Sequence, residues 1–102
     1  MTIETFCRAV VTIRRKHGGS ITSWGRSDAH AKAVGGFSGD PHTWDLGADM
    51  IYDGGPYPLG IDNEATQLGL RVIHEAGHDH YQPLDMPAGP VTAYGGETRV
   101  LA

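Results

Sequence analysis

Two short segments hold most of the metal-binding chemistry in the chain. One is His42-Thr43-Trp44-Asp45-Leu46-Gly47-Ala48-Asp49, and the other is His74-Glu75-Ala76-Gly77-His78-Asp79-His80. The first offers an imidazole and, seven residues on, a carboxylate. The second offers two imidazoles at i and i+2, His78 and His80, with the Glu75 carboxylate upstream. Two His and one Asp or Glu are the protein ligands of many catalytic zinc sites, where the fourth position is left for water. A further carboxylate can take that water's proton. His42, Asp49 and one of the paired imidazoles are therefore candidate Zn2+ ligands, and Glu75 is the candidate general base.

The elements that must position these groups follow from periodicity and breakers. Ile3, Phe6, Val10 and Ile13 recur at spacings of 3 and 4 and predict a helix over residues 3–16, stopped by Gly18-Gly19. Ile21-Thr22-Ser23-Trp24 reads as a short strand. Ser27 can cap a second helix over residues 28–34, ended by Gly35-Gly36, and residues 36–45 read as a polar, Gly-containing loop. Residues 46–52 read as a strand closed by Asp53-Gly54-Gly55-Pro56. Asp62 or Asn63 can cap a third helix carrying Ala65 and Leu68, with Leu70 at its end or in the strand that follows. A strand over 70–73, a turn at Ala76-Gly77 and a returning strand over 78–82 form a hairpin. After Pro83 the chain is rich in Gly and Pro up to Tyr94, and residues 98–101 could add an edge strand. Helices first, then strands with helical insertions, predict an α+β domain with a small, mainly antiparallel sheet and helices packed on one side.

A strand over 78–82 would put His78 and His80 on one face and Asp79 on the other. His74 would face away from Glu75. His42 follows Pro41 and so lies in an extended segment or turn, from which a loop can bring it back over the strand that holds Asp49. His17 and His30 have no acid or imidazole at ligand spacing and read as ordinary structural histidines. Arg26 follows the apolar run at 21–24 and could hold a substrate carbonyl or a developing oxyanion.

Composition sets the outer bounds. At 102 residues the chain is read as one domain, 1–102, with a modest core. Apolar content is 39%, charged content 20%, and there are 15 glycines, which together indicate many turns around a small sheet. The formal net charge of −4 argues against nucleic acid as a partner. Arg8, Arg14, Arg15 and Lys16 read as one solvated helix face. The single cysteine, Cys7, has no internal partner and sits in the apolar helical pattern. No stretch reaches the roughly 20 apolar residues of a membrane span, and no signal peptide is recognisable. Synthesis in the cytoplasm, with delivery by another route, and a monomeric state are the expectations.

Read in order, these segments resemble the small zinc peptidases of peptidoglycan: D-alanyl-D-alanine carboxypeptidases and dipeptidases and phage L-alanyl-D-glutamate endopeptidases, which share their fold with the hedgehog signalling domain. The resemblance covers residues 21–82. Ile21-Thr22-Ser23-Trp24-Gly25-Arg26-Ser27 is similar to the family's strand ending in Arg-Ser. His30-Ala31-Lys32-Ala33-Val34-Gly35-Gly36 is similar to its helix closed by Gly-Gly. His42 to Asp49 resembles its His…Gly-x-Ala-x-Asp segment, and His78-Asp79-His80-Tyr81-Gln82 its closing His-x-His strand. Asp40, Asp45, Gly47 and Gly77 depart from the family pattern. The resemblance implies a hedgehog/DD-peptidase-like fold, with His42 and Asp49 as zinc ligands and Arg26 polarising the substrate carbonyl. It implies either His80 as third ligand with His78 beside it, the arrangement favoured from sequence, or the acid-x-x-His pairing of Glu75 with His78. Either way Glu75 is the base, and the implied partner is a peptidoglycan stem peptide cut at a D-amino-acid-containing bond. A phage lysis enzyme, or one carried on a phage particle to the cell wall, would suit a chain without an export signal. The alternatives are a non-catalytic zinc-binding or peptide-binding domain on the same fold, and a metal-dependent hydrolase of another bond, such as a phosphodiester.

Overall fold

The structure is a computed structural model and describes residues 1–24 and 46–86. Helix α1, Ile3–His17, starts at Thr2, whose Oγ1 accepts from the Thr5 backbone N–H at 3.0 Å. Phe6, Ala9, Val10 and Ile13 form its buried stripe. Arg14, Arg15, Lys16 and His17 in the last turn suit the negative end of the helix dipole. Gly18 closes the helix at φ 77°, and its N–H donates to Arg14 O at 2.9 Å. Strand β1, Gly19–Ser23, follows at once.

Strands β2, Ala48–Tyr52, β3, Leu70–Glu75, and β4, His78–Pro83, complete a four-stranded antiparallel sheet in the order β1-β2-β4-β3. Helix α2, Ile61–Gln67, precedes β3. The pleat divides the sheet into two chemistries. One face presents Ala48, Met50, Tyr52, Leu70 and Tyr81, which share a single core with the α1 stripe and with Ile61 and Ala65 of α2. Each fully buried aliphatic or aromatic side chain there contributes about 1.5–3 kcal/mol. Trp24 packs against this core, its ring 5.5 Å from that of Phe6. The expected α+β architecture with a small antiparallel sheet is observed, and both described helices lie against the one core.

Several boundaries differ from expectation: α1 runs on to His17, β1 spans Gly19–Ser23 rather than 21–24, and β3 and β4 extend to Glu75 and Pro83. The 46–52 strand begins at Ala48, with Leu46 buried just ahead of it. Helix α2 begins at Ile61, behind Gly60 in the left-handed region, and neither Asp62 nor Asn63 caps it. Burial of Ile61 fixes the first turn, and the Asp62 carboxylate is instead taken by the His74 ring. Leu70 opens β3, as the expected 70–73 strand has it, because Gly69, at φ 80°, turns the chain out of the helix. The expected 28–34 helix, the 36–45 loop and the tail from 87 onward, with its 98–101 strand, lie outside the described residues. Among the described residues, no helix is long and apolar enough to cross a membrane.

Candidate metal centre

The second face of the sheet carries the site. Asp49 on β2 and His80 on β4 are Cα partners, and Glu75 and His78 pair across the end of the β3–β4 hairpin. The connection is Ala76-Gly77 alone, and Gly77 takes the positive φ (87°) that so tight a reversal needs. Period-2 alternation therefore puts Glu75, His78, His80 and Asp49 on one surface, and Asp79 and His74 on the other.

His78 Nε2 donates to Glu75 Oε1 at 2.8 Å and lies 3.7 Å from Asp49 Oδ1. His80 Nδ1 lies 3.2 Å from the same Asp49 oxygen. One ligand atom each from Asp49, Glu75 and His78 falls within a span of 4.8 Å. Ligand atoms on a tetrahedral ion at about 2.0–2.1 Å are roughly 3.3 Å apart. The spacings around Asp49 bracket that value, so a carboxylate–imidazole set that could hold a metal ion is present. Burial is graded across it: Asp49 and His80 are buried, whereas the Glu75 and His78 side chains keep 48% and 33% of their exposure. The group is anchored at Asp49 and open at the hairpin end.

Behind Asp49 the hydrogen bonds have a fixed sense. Gln82 Nε2 donates to Met86 O at 2.8 Å, which leaves Gln82 Oε1 to accept from His80 Nε2, also at 2.8 Å. Nδ1 of His80 is thereby turned to Asp49.

The opposite face carries a network that was not assigned from sequence. His74 Nε2 donates to Asp62 Oδ1 at 2.7 Å and Nδ1 to Asp79 Oδ1 at 2.8 Å. Tyr52 Oη donates to Asp79 Oδ2 at 2.8 Å, and Tyr81 Oη donates to Tyr52 Oη. Tyr57 stacks on the His74 ring, 3.7 Å between centroids. Burial lowers the His74 pKa, but the hydrogen bonds to Asp79 and Asp62 outweigh it and hold the ring above its usual value. Burial pushes Tyr81 up to about 12, and burial together with the bonds to Tyr81 and Asp79 raises Tyr52 as well. The sequence signal was the alternation itself: once His78 and His80 face one way, Asp79 is a carboxylate aimed into a core.

The expectation that His78 and His80 converge on one locus, with Asp79 turned away, matches the described geometry. His17, read as an ordinary histidine, donates to Glu64 Oε1 at 2.9 Å. Cys7 is partly buried on α1. Arg26, His30 and His42 lie outside the described residues. Comparison with protein-family models, with curated proteins and with solved structures finds no match to this chain.

Proposed function

We propose that the chain is a zinc-dependent peptidase that hydrolyses a D-amino-acid-containing bond in peptidoglycan stem peptides. The observation that carries this reading is the meeting of Asp49, Glu75 and His78 on one sheet face, with Glu75 and His78 in direct contact. It is the acid-x-x-His pairing implied by the resemblance, set beside the Asp49 of the His…Asp segment. We assign zinc to Asp49, His78 and, from the sequence spacing, His42. The sequence alone favours His80 as ligand. Its Nε2 is committed to Gln82 and its Nδ1 braces Asp49, which suits a supporting role.

When bound, zinc would acidify a water molecule and polarise the scissile carbonyl. Glu75, at the open end of the group, accepts the proton from the attacking water and hands it to the leaving amine. Asp49 is held in place by His80 and, through it, by Gln82. Arg26 is assigned to the carbonyl oxygen as negative charge develops there.

The test loads metal-free protein with zinc, measures affinity by chelator competition and assays purified peptidoglycan and synthetic stem peptides. Stoichiometric zinc with release of amino acids or peptides supports the reading. Stoichiometric zinc with no turnover on any stem peptide makes the chain a zinc-binding domain rather than an enzyme. No zinc binding removes the assignment.

A further inference from the structure

Asp79 is 2% exposed and sits on the core face of β4, between the two imidazoles of the opposite face. Its neighbours on that face are Met50, its partner across β2, and Tyr81. An apolar side chain is the default in such a place. A buried carboxylate is costly unless its oxygens are hydrogen-bonded. Here both are. Oδ1 accepts from His74 on β3 and Oδ2 from Tyr52 on β2, and His74 reaches on to Asp62 on α2.

The network and the metal group share the same strands. On β2, Asp49 faces the site and Tyr52 faces the network. On β3, Glu75 faces the site and the adjacent His74 faces the network. On β4, His78 faces the site and the adjacent Asp79 is the hub. Each strand that supplies a site residue thus supplies a residue of this tie on its reverse side, within three positions along the chain. Register alone fixes which residues pair, but it leaves the hairpin end free to twist. A charge-assisted bond from His74 to Asp79, directly opposite each other in the ladder, removes that freedom one residue from Glu75 and one from His78.

We propose that Asp79 is a positioning residue for the metal group: its carboxylate cross-ties the three strands from behind and sets the mutual placement of Asp49, Glu75 and His78. This rests on the zinc reading given above. The role differs from ordinary core stabilisation, because it fixes the geometry of the opposite face and not merely the folded population.

The experiment compares the wild type with Asp79→Asn and with Glu64→Gln. The latter removes a tie between α1 and α2 that does not touch the metal group. Readouts are the thermal midpoint, the zinc dissociation constant and the visible spectrum of the cobalt-substituted protein. Both variants should melt lower. Only Asp79→Asn should weaken zinc, by about tenfold, the low end for residues that support a metal site from outside it. Its cobalt spectrum should change as well. A lower midpoint for Asp79→Asn with an unchanged zinc constant and an unchanged cobalt spectrum would overturn the proposal and leave the zinc reading standing. Should Asp79→Asn fail to fold, Tyr52→Phe removes a single hydroxyl from the same hub, and an unchanged zinc constant there overturns the proposal equally. A wild type that binds no zinc defeats the parent reading, and this one with it.

Discussion

His80 stands directly across the ladder from Asp49, with its Nδ1 3.2 Å from Oδ1 of that carboxylate. The pair is buried, and His78 reaches the same oxygen from the solvent side. Asp49 is therefore approached by two imidazoles of different standing. One is backed by Gln82, and the other is in contact with Glu75.

That difference is measurable. Asp49→Ala should abolish stoichiometric zinc binding. His78→Ala should weaken zinc by more than about 100-fold, whereas His80→Ala, which removes a supporting contact, should cost about 10- to 100-fold. Chelator competition on the three variants gives the ranking. If His80→Ala proves the more damaging of the two histidine variants, the ligand is His80 and the assignment of His78 fails.

Glu75→Gln separates binding from proton transfer. The amide keeps the size of the side chain but accepts no proton near neutral pH. Turnover of a stem peptide should fall about 10²- to 10⁴-fold, with zinc still bound at full stoichiometry. Unchanged turnover would remove Glu75 as the base.

The site and the fold were legible in the sequence to different depths. The hairpin was readable because Ala76-Gly77 is a breaker between two apolar-containing runs, and strand alternation alone then placed His78 with His80 and turned Asp79 and His74 away. Helix α1 was readable from its 3–4 spacing. The start of α2 was not: Asp62 has the chemistry of a cap, but a partner distant in sequence, His74, claims its carboxylate. The partners of His80 were equally out of reach: its Nε2 meets a Gln82 oriented by Met86 O, a contact between the end of β4 and the turn beyond it.

The contact between α1 and α2 predicts an acid-sensitive increment of stability. Glu64 accepts from His17 at 2.9 Å and pairs with Lys16 at 3.4 Å. Burial works to raise the Glu64 pKa, but these two partners outweigh it and hold it below 4.5. A carboxyl with a depressed folded-state pKa stabilises the fold above its unfolded pKa, and that stability disappears as pH falls through the folded value. Wild type should exceed Glu64→Gln by about 0.5–1 kcal/mol near neutrality, with the gap closing as pH falls through the folded value. Thermal midpoints of both proteins across that range check it. A gap independent of pH would mean that shape, not charge, is lost.

Gly19 tests the junction of α1 and β1. Its φ is 155°, and a Cβ there would collide with the Ile51 carbonyl oxygen on the neighbouring strand, a backbone atom that cannot swing away. Gly19→Ala should destabilise by about 1–3 kcal/mol. Gly54, where a Cβ meets nothing within 4 Å, is the control and should tolerate alanine with little loss. Denaturant midpoints for the two variants decide the matter.

The tyrosine pair predicts behaviour at the alkaline end. Tyr81 is pushed up to about 12 by burial, and Tyr52 is raised by burial and by its bonds to Tyr81 and Asp79. Groups whose pKa is raised by folding favour the folded state fully below their unfolded value, about 10, and the advantage is lost as pH rises through the folded value. The phenolate absorbance of these two residues should therefore appear together with the loss of tertiary circular dichroism, not ahead of it. Tyr52→Phe deprives Asp79 of one donor and should cost about 1–3 kcal/mol at neutral pH. It should also leave Tyr81 without its hydroxyl acceptor. Phenolate from two fully folded, freely titrating tyrosines near pH 10 would contradict the burial of the pair and the closed hydrogen bonding around Asp79.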